Sequence, residues 1–167
     1  GGRRFISGNR CSRPLGEEPH HLPDLMRYKY QKLRALHGKG EGDGSRGRIG
    51  IPFGLNAYEN LPFWYAFFTK LNFEVVLSPE STRSLYIKGQ QTIPSDTVCY
   101  PAKLMHGHIE ALLDQKPDAI FYPCMSYNLD EHLGDNHYNC PVVAYYPEVL
   151  DANIAALQNV KFIYDYV

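Results

Sequence analysis

An excess of charge of either sign is missing from this chain. Its 17 Lys and Arg residues stand against 18 Asp and Glu, a formal net charge of −1 over 167 residues. Nucleic-acid binders usually carry a clear basic excess, so no nucleic-acid partner is expected. A long hydrophobic run is also missing. The longest, Leu61 to Phe68, is interrupted by Pro62 and falls far short of the roughly 18–20 apolar residues that span a bilayer, so no membrane segment is expected. The chain opens on Gly-Gly-Arg-Arg, without the charged start and apolar stretch of a secretion signal. It therefore reads as a fragment or processed piece of a larger cytoplasmic protein. The phosphate-binding pattern GxxxxGK[ST] and the nucleophile-elbow pattern GxSxG are absent, and the GxGxxG match at Gly42–Gly47 lies in a Gly-rich stretch before the first expected strand, not between a strand and a helix where a dinucleotide-binding turn belongs. Nothing in the chain supports an ordinary nucleotide-dependent oxidoreductase or NTPase.

Cysteine is scarce. The four are Cys11, Cys99, Cys124 and Cys140, separated by 88, 25 and 16 residues. None has the CxxC spacing of a zinc knuckle or a thioredoxin motif. A disulfide framework is not expected in a domain of this size without a secretion signal. Four inert thiols or a long-range metal constellation remain open. Tyrosine is plentiful, 13 of the 22 aromatic residues, which suits a polar cleft or an interface as well as a core.

Gly38 to Arg48 reads GKGEGDGSRGR, with five glycines in eleven residues. It divides the chain into an arm (residues 1–37), a Gly-rich linker (38–47) expected to be flexible, and a core (48–167). In the arm, Met26, Tyr30, Leu33 and His37 share one face of a helix expected over Pro23–His37, and that face should pack on protein. In the core, the pattern predicts strands at Arg48–Phe53, Phe73–Leu77, Asp118–Pro123, Pro141–Tyr146 and Lys161–Tyr166. Helices are expected at Pro62–Leu71 with Asn60 as cap, Ser81–Lys88 with Ser81 as cap, Tyr100–Asp114 and Glu148–Leu157. Apolar strands alternating with helices mean a doubly wound α/β fold, its mainly parallel sheet covered on both faces and its strand order reversing beside the first strand.

Ligands of such sheets sit beyond the carboxyl ends of the strands. Cys99 opens a helix and Cys124 closes the third strand, so both belong on that rim, with sulfurs expected within about 7 Å if they are ligands of one cluster. The helix dipole favours a thiolate at Cys99, and Lys103, one turn along, adds positive potential. Cys140, placed before a parallel fourth strand, is expected on the opposite rim. Cys11 can reach almost anywhere through the linker. His106 and His108 do not share a helical face. His132 and His137 lie in a loop with Asp130, Glu131 and Asp135, where a solvated loop and a metal site both fit.

The stretches RIGIP (48–52), LNAYENLPFW (55–64), VVLS (75–78), IPSDTVCYPAKL (93–104), GHI (107–109), IFYPC (120–124) and NCPVV (139–143) resemble the uncharacterised domain of CoA-enzyme-activase-related proteins. GNRC (8–11) is similar to the stretch preceding that domain. Phe53 stands where the family pattern has a basic residue. The resemblance implies a distant likeness to 2-hydroxyacyl-CoA dehydratase subunits and hence a 4Fe–4S cluster. It implies Cys99 and Cys124 as ligands, with Cys11 and Cys140 in the pattern but less defined in role. It makes Lys103, Tyr100 and Tyr122 candidates to contact and tune the cluster. The implied partners are an ATPase activator domain or subunit and an acyl-CoA dehydratase. A homodimer sharing the cluster stays open. Two further readings compete: a non-redox module that binds an acyl-CoA or a protein and keeps its cysteines as structure, and a Cys99 nucleophile with His106 or His108 as base.

Overall fold

The computed structural model describes residues 22–36 and 42–167. Four parallel strands form one sheet: β1 (Arg48–Ile51), β2 (Glu74–Leu77), β3 (Ala119–Phe121) and β4 (Lys161–Ile163), in the order β2-β1-β3-β4. Ile49 faces Val75, Gly50 faces both Val76 and Ile120, and Phe121 faces Ile163. The chain leaves β1 for β2 and then crosses back to β3, so the order reverses beside β1. This is the expected doubly wound α/β arrangement, and Val, Ile and Leu dominate its strands because both faces are covered.

Successive sheet residues alternate between two cores. Ile49, Ile51, Val75, Leu77, Ala119 and Phe121 face α1 (Leu25–Arg34) and α2 (Leu61–Lys70). There Phe121 packs on Trp64 and Phe68 with ring centroids 4.5 and 5.0 Å apart. Val76, Ile120 and Tyr122 face the other way, onto α4 (Tyr100–Asp114) and α5 (Pro141–Asn153). The helix α3 (Arg83–Gly89) packs on the outside of α4 through two glycines. A side-chain carbon on Gly107 would lie 2.0 Å from the Leu85 carbonyl oxygen, and one on Gly89 would lie 2.2 Å from the Gly107 nitrogen.

The segment expected as a fourth strand, Pro141–Tyr146, is instead the first half of α5. Val142, Val143, Tyr145 and Tyr146 favour strand by type, but Pro141 stands at the first helical position, where its fixed φ suits a helix start. The buried residues Ala144, Tyr146, Pro147 and Leu150 follow helical spacing. Pro147 has no N–H for the Val143 carbonyl, which accepts a bond from Met125 N instead (3.4 Å). The helix expected over Glu148–Leu157 is therefore the end of α5 followed by a 3-10 turn at Ala155–Asn159.

Two caps also differ. Thr82, not Ser81, caps α3 by accepting from Leu85 N (3.2 Å). Asn60 holds the cap position of α2, but its side chain donates to the Asn56 carbonyl (3.1 Å) and makes no capping bond.

In the arm, Asp24 caps α1. Tyr30 and Leu33 pack on the sheet, with Tyr30 on Phe53 at 4.8 Å, whereas Met26 is 66% exposed, so the expected packed face is only partly packed. Arg34 donates to the Ser78 carbonyl (3.2 Å) and lies over the Phe53 ring, bringing a cation beside the position where the sequence pattern lacks one. His37, Cys11 and residues 38–41 of the linker lie outside the described residues. Residues 42–47 form a turn docked through Arg46 N on the Asn72 carbonyl (3.2 Å).

Candidate functional site

The carboxyl rim of the sheet carries three thiols, one more than the sequence reading placed there. Cys99 is the cap residue of α4. The far end of α4 is fixed at the amino rim, where Arg48 of β1 donates to the Gln115 carbonyl (2.8 Å). A helix of 15 residues is about 22 Å long, so Cys99 stands at the opposite, carboxyl rim. Cys124 follows β3 directly. Its N–H donates to the Asp165 carbonyl (3.1 Å) and its carbonyl accepts from Val167 N (3.0 Å), so the chain beyond β4 holds it in place.

Cys140 caps α5. Because Pro141 starts a helix and not a strand, Cys140 moves from the expected amino rim to the carboxyl rim, beside Cys124. The neck of the intervening loop fixes this. Asn139 N donates to the Ser126 carbonyl (3.1 Å), and the Asn139 side chain bonds the Met125 carbonyl (2.9 Å) and the amide of Asn128 (2.8 Å). These bonds close the loop one residue before Cys140 and within four residues of Cys124.

Cys99 and Cys140 share one backbone geometry, with φ and ψ of −63° and 152° against −64° and 157°, and neither thiol bonds its own helix. Both are exposed, while Cys124 is buried. Burial pushes the Cys124 thiol up to about 11, and the Glu148 carboxylate adds to the rise. Two buried tyrosines stand among these cysteines. Tyr122 is raised by burial and by the charges of Cys124, Tyr146 and Cys140. Tyr146 is raised to about 12 by burial and by Cys99. The Tyr122 hydroxyl has no hydrogen-bond partner among the described residues. Tyr100, by contrast, is half exposed and packs on Tyr86 at 5.5 Å. Lys103 donates to the Asp96 carbonyl (2.8 Å), drawing the preceding loop across the start of α4.

His106 and His108 are fully buried on either side of Gly107 and clasp both ends of α3. His108 bonds Ser78 Oγ (2.7 Å) and Ser81 Oγ (2.9 Å), and His106 bonds Thr92 Oγ1 (2.8 Å) and Tyr146 Oη (3.0 Å). Every ring nitrogen is engaged, so neither histidine is free to serve Cys99 as a base. Burial lowers both to about 4. His132 and His137 each lie 3.4 Å from one Asp130 oxygen. Among the described residues no three His, Cys, Asp or Glu side chains gather around a single metal ion.

A cavity of about 480 Å³ opens on the same rim, between α1, the loop after β1 and the first turns of α4. Met26, Phe53, Leu55, Pro101, Leu104 and Met105 line it, with Arg27 and Ser81 among its polar groups. Leu55 is held at φ 46°, a left-handed conformation costly for leucine.

The fold is thus a doubly wound α/β module with three thiols on the carboxyl rim of its sheet. Residues 48–167 match the family described as the CoA enzyme activase uncharacterised domain, and the chain belongs to that family. No curated protein and no solved structure matches it. Among the described residues no helix is long and apolar enough to cross a membrane.

Proposed function

We propose that Cys99, Cys124 and Cys140 hold a 4Fe–4S cluster. The domain would then act as a redox module alongside an ATPase activator of CoA-ester enzymes of the 2-hydroxyacyl-CoA dehydratase kind. The observation that carries this reading is the placement of three thiols on one rim, from two helix starts and one strand end, with a buried tyrosine hydroxyl beside Cys124 that has no partner among the described residues. Thiolates select iron–sulfur clusters and soft metals, and a cluster distributes its thiolates over separate irons, so it does not need the tight ligand set of one ion. Such a cluster supplies one-electron transfer at low potential.

The chain's own residues do the rest. The starts of α4 and α5 direct free backbone N–H groups and positive dipole ends at the rim, which offsets anionic charge there. Buried Cys124 gives up its proton on ligation. Asn139 holds the loop neck so that Cys140 stays beside it.

Full-length protein reconstituted anaerobically with iron and sulfide tests this. Acid-labile sulfide, bound iron and a broad visible charge-transfer absorption are expected. Their absence would end the reading. A second reading is favoured by the cavity beside α4: its volume lies within the roughly 300–1,000 Å³ of small-molecule pockets, and its walls suit an apolar group such as an acyl chain. Under that reading the cysteines are structural, and an acyl-CoA binds protein that carries no iron.

A further inference from the structure

We infer that Tyr122 is the hydrogen-bond donor to the sulfur of the rim site, its buried hydroxyl being the one there without a partner among the described residues. The inference rests on the cluster reading above and adds to it the residue that sets the electronic character of the sulfur.

Tyr122 is 4% exposed, and its hydroxyl oxygen has no partner among the described residues. Buried hydroxyls are nearly always bonded, and an orphan marks a place where an acceptor belongs. Its position says which acceptor. Ile120 and Tyr122 both face the α4 and α5 core, and Cys124 lies two residues further along the same extended run, which continues as a bridge to Tyr166. Alternation thus puts Tyr122 and Cys124 on one face. The neck at Asn139 and the bond from Met125 N to the Val143 carbonyl bring the start of α5, with Cys140, onto that face.

The neighbouring Tyr146 is already engaged. Its hydroxyl bonds His106 Nε2 (3.0 Å), whose Nδ1 in turn bonds Thr92 Oγ1 (2.8 Å), so Tyr146 already has a partner within the core. Tyr100 is half exposed and turned to Tyr86. Tyr122 remains. A hydrogen bond to a thiolate or bridging sulfide stabilises negative charge on sulfur, and so favours the reduced, more anionic form.

The test compares wild type with Tyr122→Phe, each as full-length protein without iron and after anaerobic reconstitution. Without iron, removing an unpartnered buried hydroxyl should raise the denaturation midpoint. After reconstitution, Tyr122→Phe should bind the same iron and sulfide as wild type but show a more negative midpoint potential, and its stability advantage should vanish. Tyr146→Phe, which strips His106 Nε2 of its hydrogen-bond partner, should lower the iron-free midpoint and move the potential less. Equal potentials at equal iron content would overturn the inference while leaving the cluster reading intact. So would an iron-free Tyr122→Phe protein less stable than wild type, since the hydroxyl would then already have a partner. A wild-type protein that takes up no iron would overturn the cluster reading and this inference with it.

Discussion

Gly107 sits between two buried histidines, and only hydrogen fits where its side chain would go. A methyl group there would lie 2.0 Å from the Leu85 carbonyl oxygen, a backbone atom that cannot swing aside. Gly107→Ala should therefore force α3 from α4 and cost about 2–3 kcal/mol, the usual scale of overpacking, measured by denaturant unfolding. A fall of only a few tenths would mean that the helices separate freely. The cysteines differ as sharply in access. Iodoacetamide should label exposed Cys99 and Cys140 well before Cys124, which is buried and has its thiol pushed up to about 11. Peptide mapping by mass spectrometry reads the order, and early labelling of Cys124 would contradict its burial.

The helix α3 is held through hydrogen bonds as much as through apolar contact, and the imidazoles that make those bonds are kept neutral by burial. Burial holds His106 and His108 near 4 in the folded protein, against about 6.5 for an exposed histidine. The unfolded chain thus takes up two more protons than the folded one between these values. Stability should be level above pH 6.5 and fall as pH drops from 6.5 toward 4, by up to about 1.4 kcal/mol per pH unit for each histidine. Denaturant midpoints across pH 4–8 check this, and a flat profile below 6.5 would show that the rings ionise without unfolding. The loop neck offers a second test. Asn139→Ala removes bonds to Met125 and Asn128 and should cost about 1–3 kcal/mol, with faster proteolysis between residues 126 and 138. The element misread from sequence, Pro141–Tyr146, shows why some of this was hidden. Its β-branched and aromatic residues obey strand propensity, but tertiary burial on the α4 side and the proline at its start override it. The signal was present: Cys140 is followed at once by Pro141, as Cys99 is followed by Tyr100 and Pro101.

The fold was legible because the strands β1, β2 and β3 are short apolar runs between helices, and only one topology rule was needed to order them. Two of the three rim cysteines were legible for the same reason. The third was not, because one misassigned element moved it to the far side of the sheet. The histidine latches were hidden too, since their serine and threonine partners lie 14 to 30 residues away. The placement of Cys140 is thus where the whole arrangement is most exposed to test. Iron and sulfide per chain, counted after anaerobic reconstitution of wild type, Cys99→Ser and Cys140→Ser, test it most directly. Cys140→Ser should lose cluster as completely as Cys99→Ser, because both thiols stand on one rim. Full iron and sulfide in Cys140→Ser, beside loss in Cys99→Ser, would contradict the three-thiol site.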